Sequence, residues 1–484
     1  MHLQGISRII QTFKPAECEF IRDYYLRKSN GSATKRLQLF DLLKNQLSKD
    51  NEQVCRLLYN RKPDSGFSQL KKRLKQDLLD FMVFFPSTKN DTPDNSAVEL
   101  ECRKLFVQAK TLVHRGIEDE AIGILRRIGK LAKDFDLPQM KALSLDLLQE
   151  ISDQSFRDFT IDSAKVERDL EIHLAKVKSR NLYRRLSEKG LSELENSKED
   201  QSLIIHLKVL CENCWTPSLG FWHHLLALKV NFLNDKVGKA YWHGLRLDQS
   251  LKSHGGTLSN DQLFDFYHEM AVLLAKARKP NRAELYARKA EMLCSSDCED
   301  LLKILEVRFV LAFSRREYSV CLELWQEAMN HKKVEIDDLG YFKWIFFEAC
   351  LQFVEGDFEQ SLVLLRKSAD LTRDKSGFFI EHRLLEILNL IELGEHDLLE
   401  YRVESFRKLI EYHQDKCPER IHGVMKLLRT LVRTGYDLEA VYVQEKENLI
   451  LIRNKGMDNQ LMSLIDVQHW IENKVKPSKL RLVG

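Results

Sequence analysis

The chain has 484 residues, of which 44% are apolar and 30% are charged, a composition that supplies a packed core and argues against both intrinsic disorder and a membrane protein. Lysine and arginine total 75 and aspartate and glutamate 72, so the net charge of +3 creates no global field that demands nucleic acid or an anionic membrane as partner. Glycine (20) and proline (9) are scarce, which argues against turn-rich all-β architectures and makes long helices the expected structure.

The chain begins with a predicted N-terminal helical module at 1–85, whose helices we place near 16–27, 34–47, 52–59 and 67–85. The last of these helices carries an apolar stripe at spacings of three and four, formed by Phe67, Leu70, Leu74, Leu78, Phe81 and Phe85. Basic side chains project largely from its other side, namely Lys71, Lys72, Arg73 and Lys75. These four residues could neutralise phosphates, so DNA binding stays open as an alternative to a structural cap or docking module.

A linker is predicted at 86–96, where two prolines stand among Ser, Thr, Asn and Asp residues. From 97 to 460 one pattern recurs: an amphipathic helix, a short turn that often holds Gly, and a second helix with a small residue five positions after the turn. Its clearest copies are HRGIEDEAIGIL, VEGDFEQSLVLL, ELGEHDLLEYRV and RTGYDLEAVYVQ, which begin at His114, Val354, Glu392 and Arg433. The pattern predicts an array of helical hairpins.

The residue five positions after each turn gives the period of the array. These residues are Ala121, Ala240, Ala283, Cys321, Ser361, Leu399 and Ala440. The last six are spaced by 43, 38, 40, 38 and 41 residues, and the first gap of 119 is close to three times 40. Two further units are therefore expected near Ala164 and Glu199, with helices through about 138–151, 160–178, 179–193 and 198–213.

The expected fold class is all-α: an α-solenoid of about eight helical hairpins with a period near 40, an N-terminal helical module and a C-terminal capping helix. A single hairpin cannot bury its apolar faces alone, so neighbouring pairs stack into one core. Small residues are expected where helices cross closely: Ala109, Ala121, Ala271, Ala283, Ala290, Ala328 and Ala349. Glycines are expected to end the first helix of a pair in a left-handed conformation, at Gly116, Gly356, Gly394 and Gly435.

These residues resemble the tetratricopeptide repeat superfamily, whose mark is a small residue, then Gly seven positions on, then Ala five further. Ala109, Gly116 and Ala121 follow this pattern. The period near 40 exceeds the family's usual length of about 34 and implies longer helices. The overall plan is also similar to a group of uncharacterised bacterial tetratricopeptide-like proteins.

The resemblance implies a concave surface on which the first helix of each pair presents side chains to a protein or peptide. In the family's register the groove-facing candidates are Trp222, Lys229, Asp265, His268, Lys303, Glu306, Lys343, Arg429 and Arg433. The Lys and Asn pattern with which family members clamp acidic peptide C-termini is not found, so a chaperone-adaptor role is not expected.

The last predicted element is a capping helix with a basic tail at 461–484. Its apolar positions recur at helical spacing: Leu464, Val467, Trp470, Ile471 and Val475. We expect Trp470 and Ile471 to pack on the preceding helix pair and Pro477 to end the helix. The alternative is a detached tail that binds a partner through its aromatic stripe.

Catalytic, metal and cofactor motifs are not found in the sequence, so no such site and no cofactor is predicted. The pairs Cys211/Cys214 and Cys294/Cys298 lie two repeat periods apart and are not expected to share a zinc ion. The adjacent His223 and His224 point about 100° apart on a helix, which argues against a shared ligand face. For these two residues and for His243, the sequence gives no converging group of known geometry that a metal site needs. The favoured interpretation is that these three histidines are ordinary core or surface residues.

The expected function is a non-enzymatic scaffold that binds a peptide or partner domain in the groove. One alternative is a regulator whose N-terminal module binds DNA or a transcription component, and another is an enzyme or metalloprotein with an unrecognised site. Ten irregularly spaced cysteines indicate reduced thiols. Because neither a signal peptide nor a membrane span is recognisable, a cytoplasmic location without membrane contact is expected. The partner's identity and the oligomeric state are not predicted.

Overall fold

The structure is a computed structural model, which describes residues 3–28, 34–45, 51–84, 95–155, 163–190, 194, 197–254, 258–294, 298–331, 338–368, 378–412, 419–454 and 464–480. Within these ranges the chain is 87% helical, with 24 helices and no strand. This confirms the all-α class. The chain divides into two compact units, Met1–Ile128 and Gly129–Gly484.

The first unit begins with five helices, which are α1 (Leu3–Gln11), α2 (Pro15–Lys28), α3 (Lys35–Lys44), α4 (Asn51–Tyr59) and α5 (Ser65–Phe84). The predicted helices correspond to α2 to α5, and α1 was not predicted. The stripe on α5 is confirmed, because Phe67, Leu74 and Leu78 are fully buried in a core shared with α1 and α3. Phe85 and residues 86–94 of the predicted linker lie outside the described residues.

The next helices run from the first unit into the second, and they are α6 (Asn95–His114), α7 (Glu118–Asp134), α8 (Pro138–Ser155), α9 (Ser163–Lys189) and α10 (Lys198–Asn213). The predicted break near 178 is wrong, since α9 is one continuous helix of 27 residues. Its sequence holds no Gly or Pro that would stop a helix there. Ala164 and Glu199, near which two weaker units are expected, are both exposed.

Helix pairs of regular length follow: α11 (Pro217–Leu233), α12 (Val237–His254), α13 (Asn260–Lys276), α14 (Pro280–Glu291), α15 (Glu299–Ser314), α16 (Tyr318–Met329), α17 (Asp338–Glu355), α18 (Phe358–Lys367), α19 (Phe378–Leu393) and α20 (His396–Tyr412). The last helices are α21 (Glu419–Arg433), α22 (Leu438–Gln444), α23 (Lys446–Asn454) and α24 (Val467–Leu480). Each helix from α10 to α21 packs on the next one along the chain.

The turns between paired helices share one backbone conformation. A residue with φ between +54° and +89° lies five positions before each period-defining residue, at Gly116, Asp235, Arg278, Arg316, Gly356, Gly394 and Gly435. The four glycine turns are therefore confirmed, and three further turns adopt the same conformation without Gly. The sterics of Cβ make it cost other residues about 1–2 kcal/mol.

The period-defining residues, which lie five positions after these turns, are placed in or beside the core. Six of the seven period-defining residues are fully buried, and Ala440 is half-buried. The small residues expected at close helix crossings are all buried as well: Ala109, Ala121, Ala271, Ala283, Ala290, Ala328 and Ala349. A larger side chain at these positions would hold neighbouring helices apart.

The C-terminal helix α24 packs on α22 and α23. Ile471 is fully buried and Trp470 is partly buried against the same core, which confirms the predicted packing. The expectation that Pro477 ends the helix is wrong, because α24 continues to Leu480. A proline inside a helix removes one backbone hydrogen bond and crowds the carbonyl four residues earlier, a cost that α24 accommodates without ending.

Candidate functional site

A large cavity lies in the second unit, at the turn ends of successive helix pairs. Its volume is about 890 Å³, within the range of about 300–1,000 Å³ that natural ligand pockets occupy. The turns between α13 and α14, α15 and α16, and α17 and α18 line one part of it, through Arg278, Arg316 and Gly356. The segment from Leu464 to Lys474 lines another part.

The apolar lining repeats with the period of the helix pairs. Phe313 and Tyr318 flank one left-handed turn with ring centroids 5.5 Å apart, and Phe353 and Phe358 flank the next turn, also 5.5 Å apart. These pairs are separated by 40 residues. In the preceding repeat the equivalent positions are Ala275 and Pro280, which also line the cavity. Three repeats thus contribute equivalent positions to a single surface.

The C-terminal segment is held at the cavity by one carboxylate. The indole Nε1 of Trp470 donates a hydrogen bond of 2.6 Å to Oε1 of Glu392, and Nζ of Lys474 lies 2.5 Å from Oε2 of the same residue. Glu392 lies on α19 and its side chain is only 7% exposed. The segment is further anchored by the buried Val467 and Ile471. The sequence predicted the packing of Trp470 but gave no indication of Glu392 as its partner.

Charged groups at the cavity are mainly cationic. The lining contains four basic residues, Arg278, Arg316, Arg420 and Lys474, and two acidic ones, Glu392 and Asp466. Arg420 forms a buried ion pair with Glu381, and Lys474 pairs with Glu392. A net positive lining favours an anionic group on a ligand.

The predicted groove residue Lys229 on α11 belongs to a buried polar network. Nζ of Lys229 lies 2.6 Å from Oε1 of Glu269, and the Tyr183 hydroxyl donates to the same oxygen at 3.0 Å. Burial acts to raise the pKa of Glu269, but the charges of Lys229 and His268 and the hydrogen bonds from Lys229 and Tyr183 together hold that pKa below its ordinary value. Burial and the charge of Glu269 raise the pKa of Tyr183 well above its ordinary value. The ammonium group of Lys229 therefore pairs with a carboxylate of the neighbouring helix pair.

Asp265 and His268 lie in the same region on α13. Burial, together with the negative charges of Glu269 and Asp300, raises the pKa of Asp265 to about 7. Burial also lowers the pKa of His268, which stacks on Phe264 at a ring-centroid distance of 5.9 Å. Both groups are therefore biased toward their neutral forms.

The remaining groove candidates differ in the residues that they contact and in their exposure. Nζ of Lys343 lies 2.8 Å from Glu306, and Nζ of Lys303 lies 2.7 Å from Asp300. Arg433 donates to Gln444 at 3.1 Å, and Arg429, whose side chain is 56% exposed, lies 3.8 Å from Glu411. Lys343 and Glu306 thus contact each other, Lys303 contacts a residue of its own helix, and Arg429 and Arg433 contact neighbouring helices.

The prediction that Trp222 faces a groove is wrong. Its side chain is 1% exposed and packs edge-on against Phe221 and Tyr183 in the core. Trp222 lies on the face of α11 that contacts α9. The long α9, which the repeat register did not anticipate, covers this position.

The predicted basic face of α5 is smaller than the sequence indicated. Lys71 is only 5% exposed, because its Nζ donates to Oδ1 of Asn51 at 2.9 Å and lies over the Phe67 ring. Lys72 and Arg73 are exposed and Lys75 is half-buried. Lys71 is therefore not placed to contact phosphate, and the DNA-binding alternative loses one of its four residues.

The expectation that His223 and His224 cannot share one ligand face is wrong, and His243 lies beside them. One ligand nitrogen from each of the three lies within 4.8 Å of the others. The described cysteines are free thiols, and the histidines are the one group of three or more potential ligands at such distances in the described part of the chain. Both adjacent rings lie close to the His243 ring on α12, with centroids 6.1 Å from it for His223 and 5.3 Å for His224.

Comparison of the sequence with models of known protein families finds no match, and neither does comparison with curated proteins. Among the described residues, no helix is both long and apolar enough to cross a membrane. The site must therefore be interpreted from its own geometry.

Proposed function

We propose that this chain is a non-enzymatic interaction protein that binds an extended peptide segment of a partner in the cavity between the helix-pair turns and α24. The observation that carries the proposal is the cavity lining, where equivalent positions of three successive helix pairs meet in one volume of about 890 Å³. Catalysis needs converging reactive groups, whereas this lining is largely aromatic and aliphatic.

In this proposal the second unit is a tetratricopeptide-like solenoid with a period near 40. The shared left-handed turns and the buried residues five positions after them support a common repeat. First helices of neighbouring pairs also contact each other directly, as α11 does with α13, α13 with α15, and α17 with α19. Contacts between equivalent helices are typical of solenoid arrays.

The shape of the lining favours a linear ligand. Packed helices lie about 8–10 Å apart, so three equivalent positions form a row about 20 Å long. A compact small molecule cannot contact the whole row. The aromatic pairs suit apolar side chains of a peptide, and the excess of basic residues suits an acidic group on the same segment.

The experiment uses a tryptophan that fills the cavity. Val354 lies near the end of α17, lines the cavity and is 39% exposed, so Val354→Trp should occupy the site without disturbing the core. Val363 on α18 provides the matched control, because it is 40% exposed and does not line the cavity. Peptides are selected from a display library of random short sequences on the full-length wild-type chain.

The selected peptides should combine apolar or aromatic residues with an acidic one. We expect them to bind the wild-type chain and the Val363→Trp variant equally, and the Val354→Trp variant at least tenfold more weakly, which is about 1.4 kcal/mol or more. Isothermal titration calorimetry measures the three affinities. Failure to enrich any peptide, or equal binding by Val354→Trp, contradicts the proposed function.

A further inference from the structure

Three histidines converge between the helices α11 and α12. His223 and His224 are neighbours on α11, and His243 lies on α12. The ring centroids are 5.0 Å apart for His223 and His224, 5.3 Å for His224 and His243, and 6.1 Å for His223 and His243. A ligand nitrogen of each lies within 4.8 Å of the other two.

The closest contact is between two nitrogens of the same kind. Nδ1 of His224 lies 3.0 Å from Nδ1 of His243, so one of these atoms carries a proton and the other offers its lone pair. A tetrahedral zinc ion with Zn–N distances of about 2.0–2.1 Å places its ligand nitrogens about 3.4 Å apart. A metal ion in place of the shared proton needs only a small adjustment of the two rings.

The cluster is held in a partly buried environment. Burial, followed by the charges of neighbouring histidines, lowers the pKa of His224 to about 4, and burial with the charge of His223 lowers that of His243 to about 4. Burial also lowers the pKa of His223. The proposal below depends on the distances between the ring nitrogens and not on these shifts.

The cluster is not fully enclosed by the surrounding residues. All three histidines are partly buried. The Trp242 ring, which is 48% exposed, packs edge-on against His243 at 4.8 Å. The charged groups near the rings are Lys208 and Glu212 of α10 and Arg246 of α12. Solvent can therefore supply a further ligand at the metal.

We propose that His223, His224 and His243 bind one zinc ion through three imidazole nitrogens, with water at the fourth position. Three histidines with an open position are a coordination set that zinc accepts. The ion would link α11 to α12, which are the two helices of one pair. This site is separate from the cavity proposed to bind peptide, and its test does not depend on that proposal.

The test titrates the full-length, chelator-treated protein with zinc chloride alone. We expect one equivalent of zinc to bind, and His243→Ala to weaken binding by more than the roughly 10–100-fold that loss of an outer-shell partner costs. His224→Gln should have the same effect. Far-UV circular dichroism of each variant must match the wild type, and if His243→Ala is misfolded the His224→Gln measurement decides.

Two control variants separate this site from other sources of binding. His206 is exposed on α10, where it lies 3.3 Å from Glu171, so His206→Ala should leave zinc binding unchanged. The double variant Cys211→Ser/Cys214→Ser should also retain binding, because no thiolate belongs to the site. Absence of stoichiometric binding, unchanged binding in both histidine variants, or loss of binding in the cysteine variant overturns the proposal.

Discussion

Individual charged side chains in the second unit are buried with partners from a neighbouring repeat. Glu269 is 2% exposed and Lys229 is 12% exposed, and they lie 40 residues apart in the sequence. Lys343 and Glu306 are paired across 37 residues. These separations are close to one period, so equivalent faces of successive first helices contribute the two partners.

Removal of Glu269 should destabilise the protein strongly. Glu269→Ala leaves the buried Lys229 ammonium and the Tyr183 hydroxyl without their acceptor, which we expect to lower the free energy of unfolding by about 3–5 kcal/mol. The control is Lys303→Ala, because the pair of Lys303 with Asp300 is 56% and 40% exposed and should contribute at most about 1 kcal/mol. Urea unfolding measures both variants, and equal effects would contradict the burial of the Lys229 pair.

Asp265 should make stability depend on pH. Because its folded pKa is raised to about 7 from an ordinary value of 3.8, the folded state binds the extra proton between about pH 4 and 7. The contribution of Asp265 to stability is therefore fully present near pH 4 and is lost as the pH rises through about 7. Asp265→Asn should match the wild type near pH 4 and be more stable at pH 8, by at most about 4 kcal/mol. Urea unfolding measures the difference in stability between Asp265→Asn and the wild type at each pH. The same difference at pH 4 and at pH 8 would contradict this assignment.

At this scale the sequence indicated single residues but not their partners. Lys229, Asp265 and His268 were placed on one surface from the repeat register, but their partners Glu269 and Tyr183 were not identified. A search for opposite charges one period apart could have found the Lys229 and Glu269 pair. Burial of Trp222 could not be predicted, because it depends on the unanticipated length of α9.

Helices and turns were predicted most accurately where a single residue ends the helix. Gly356 does so between α17 and α18, and Asp357 then caps α18 by accepting a hydrogen bond from the amide of Gln360 at 3.0 Å. No comparable residue divides 163–189, so the expected break there rested on the period alone. The helix α1 shows helical spacing of Leu3, Ile6 and Ile10, a signal that was present in the sequence and was missed.

Substitution by alanine is predicted to have opposite effects on stability at two glycines, one in a turn and one inside a helix. Gly356 has φ of +89° and a Cβ there would meet no atom within 4 Å, so Gly356→Ala should cost about 1–2 kcal/mol through backbone strain alone. Gly123 lies inside α7, and a Cβ there also meets no atom within 4 Å, so Gly123→Ala should stabilise by about 0.5–1 kcal/mol. Thermal or urea unfolding of the two variants measures the signs, and the same sign for both contradicts the turn assignment.

Attachment of α24 to the second unit depends on its apolar face. Ile471 is fully buried, so Ile471→Ala should lower the free energy of unfolding by about 2–5 kcal/mol. Asn473 on the same helix is exposed and its contact is with His469, so Asn473→Ala should change stability by less than about 0.5 kcal/mol. An Ile471→Ala variant as stable as the wild type would indicate a detached tail.

For the whole molecule, composition and periodicity were enough to predict an all-α chain, and they were not enough to predict the cavity. The repeat places Phe313 and Phe353 at equivalent positions, which the sequence already indicates. The return of the segment around Trp470 to Glu392, 78 residues earlier, depends on packing between distant helices. No local pattern encodes such a contact, so the volume that it encloses was found in the structure alone.

The proposed function is tested most directly by a crystal structure of the full-length chain with a peptide selected on it. We expect the peptide to lie in the cavity, with apolar side chains on Phe313 and Phe353 and an acidic group toward Arg278 or Arg316. Its backbone should run along the row of helix-pair turns, next to Trp470. A peptide bound on another surface, with the cavity empty, would contradict the account.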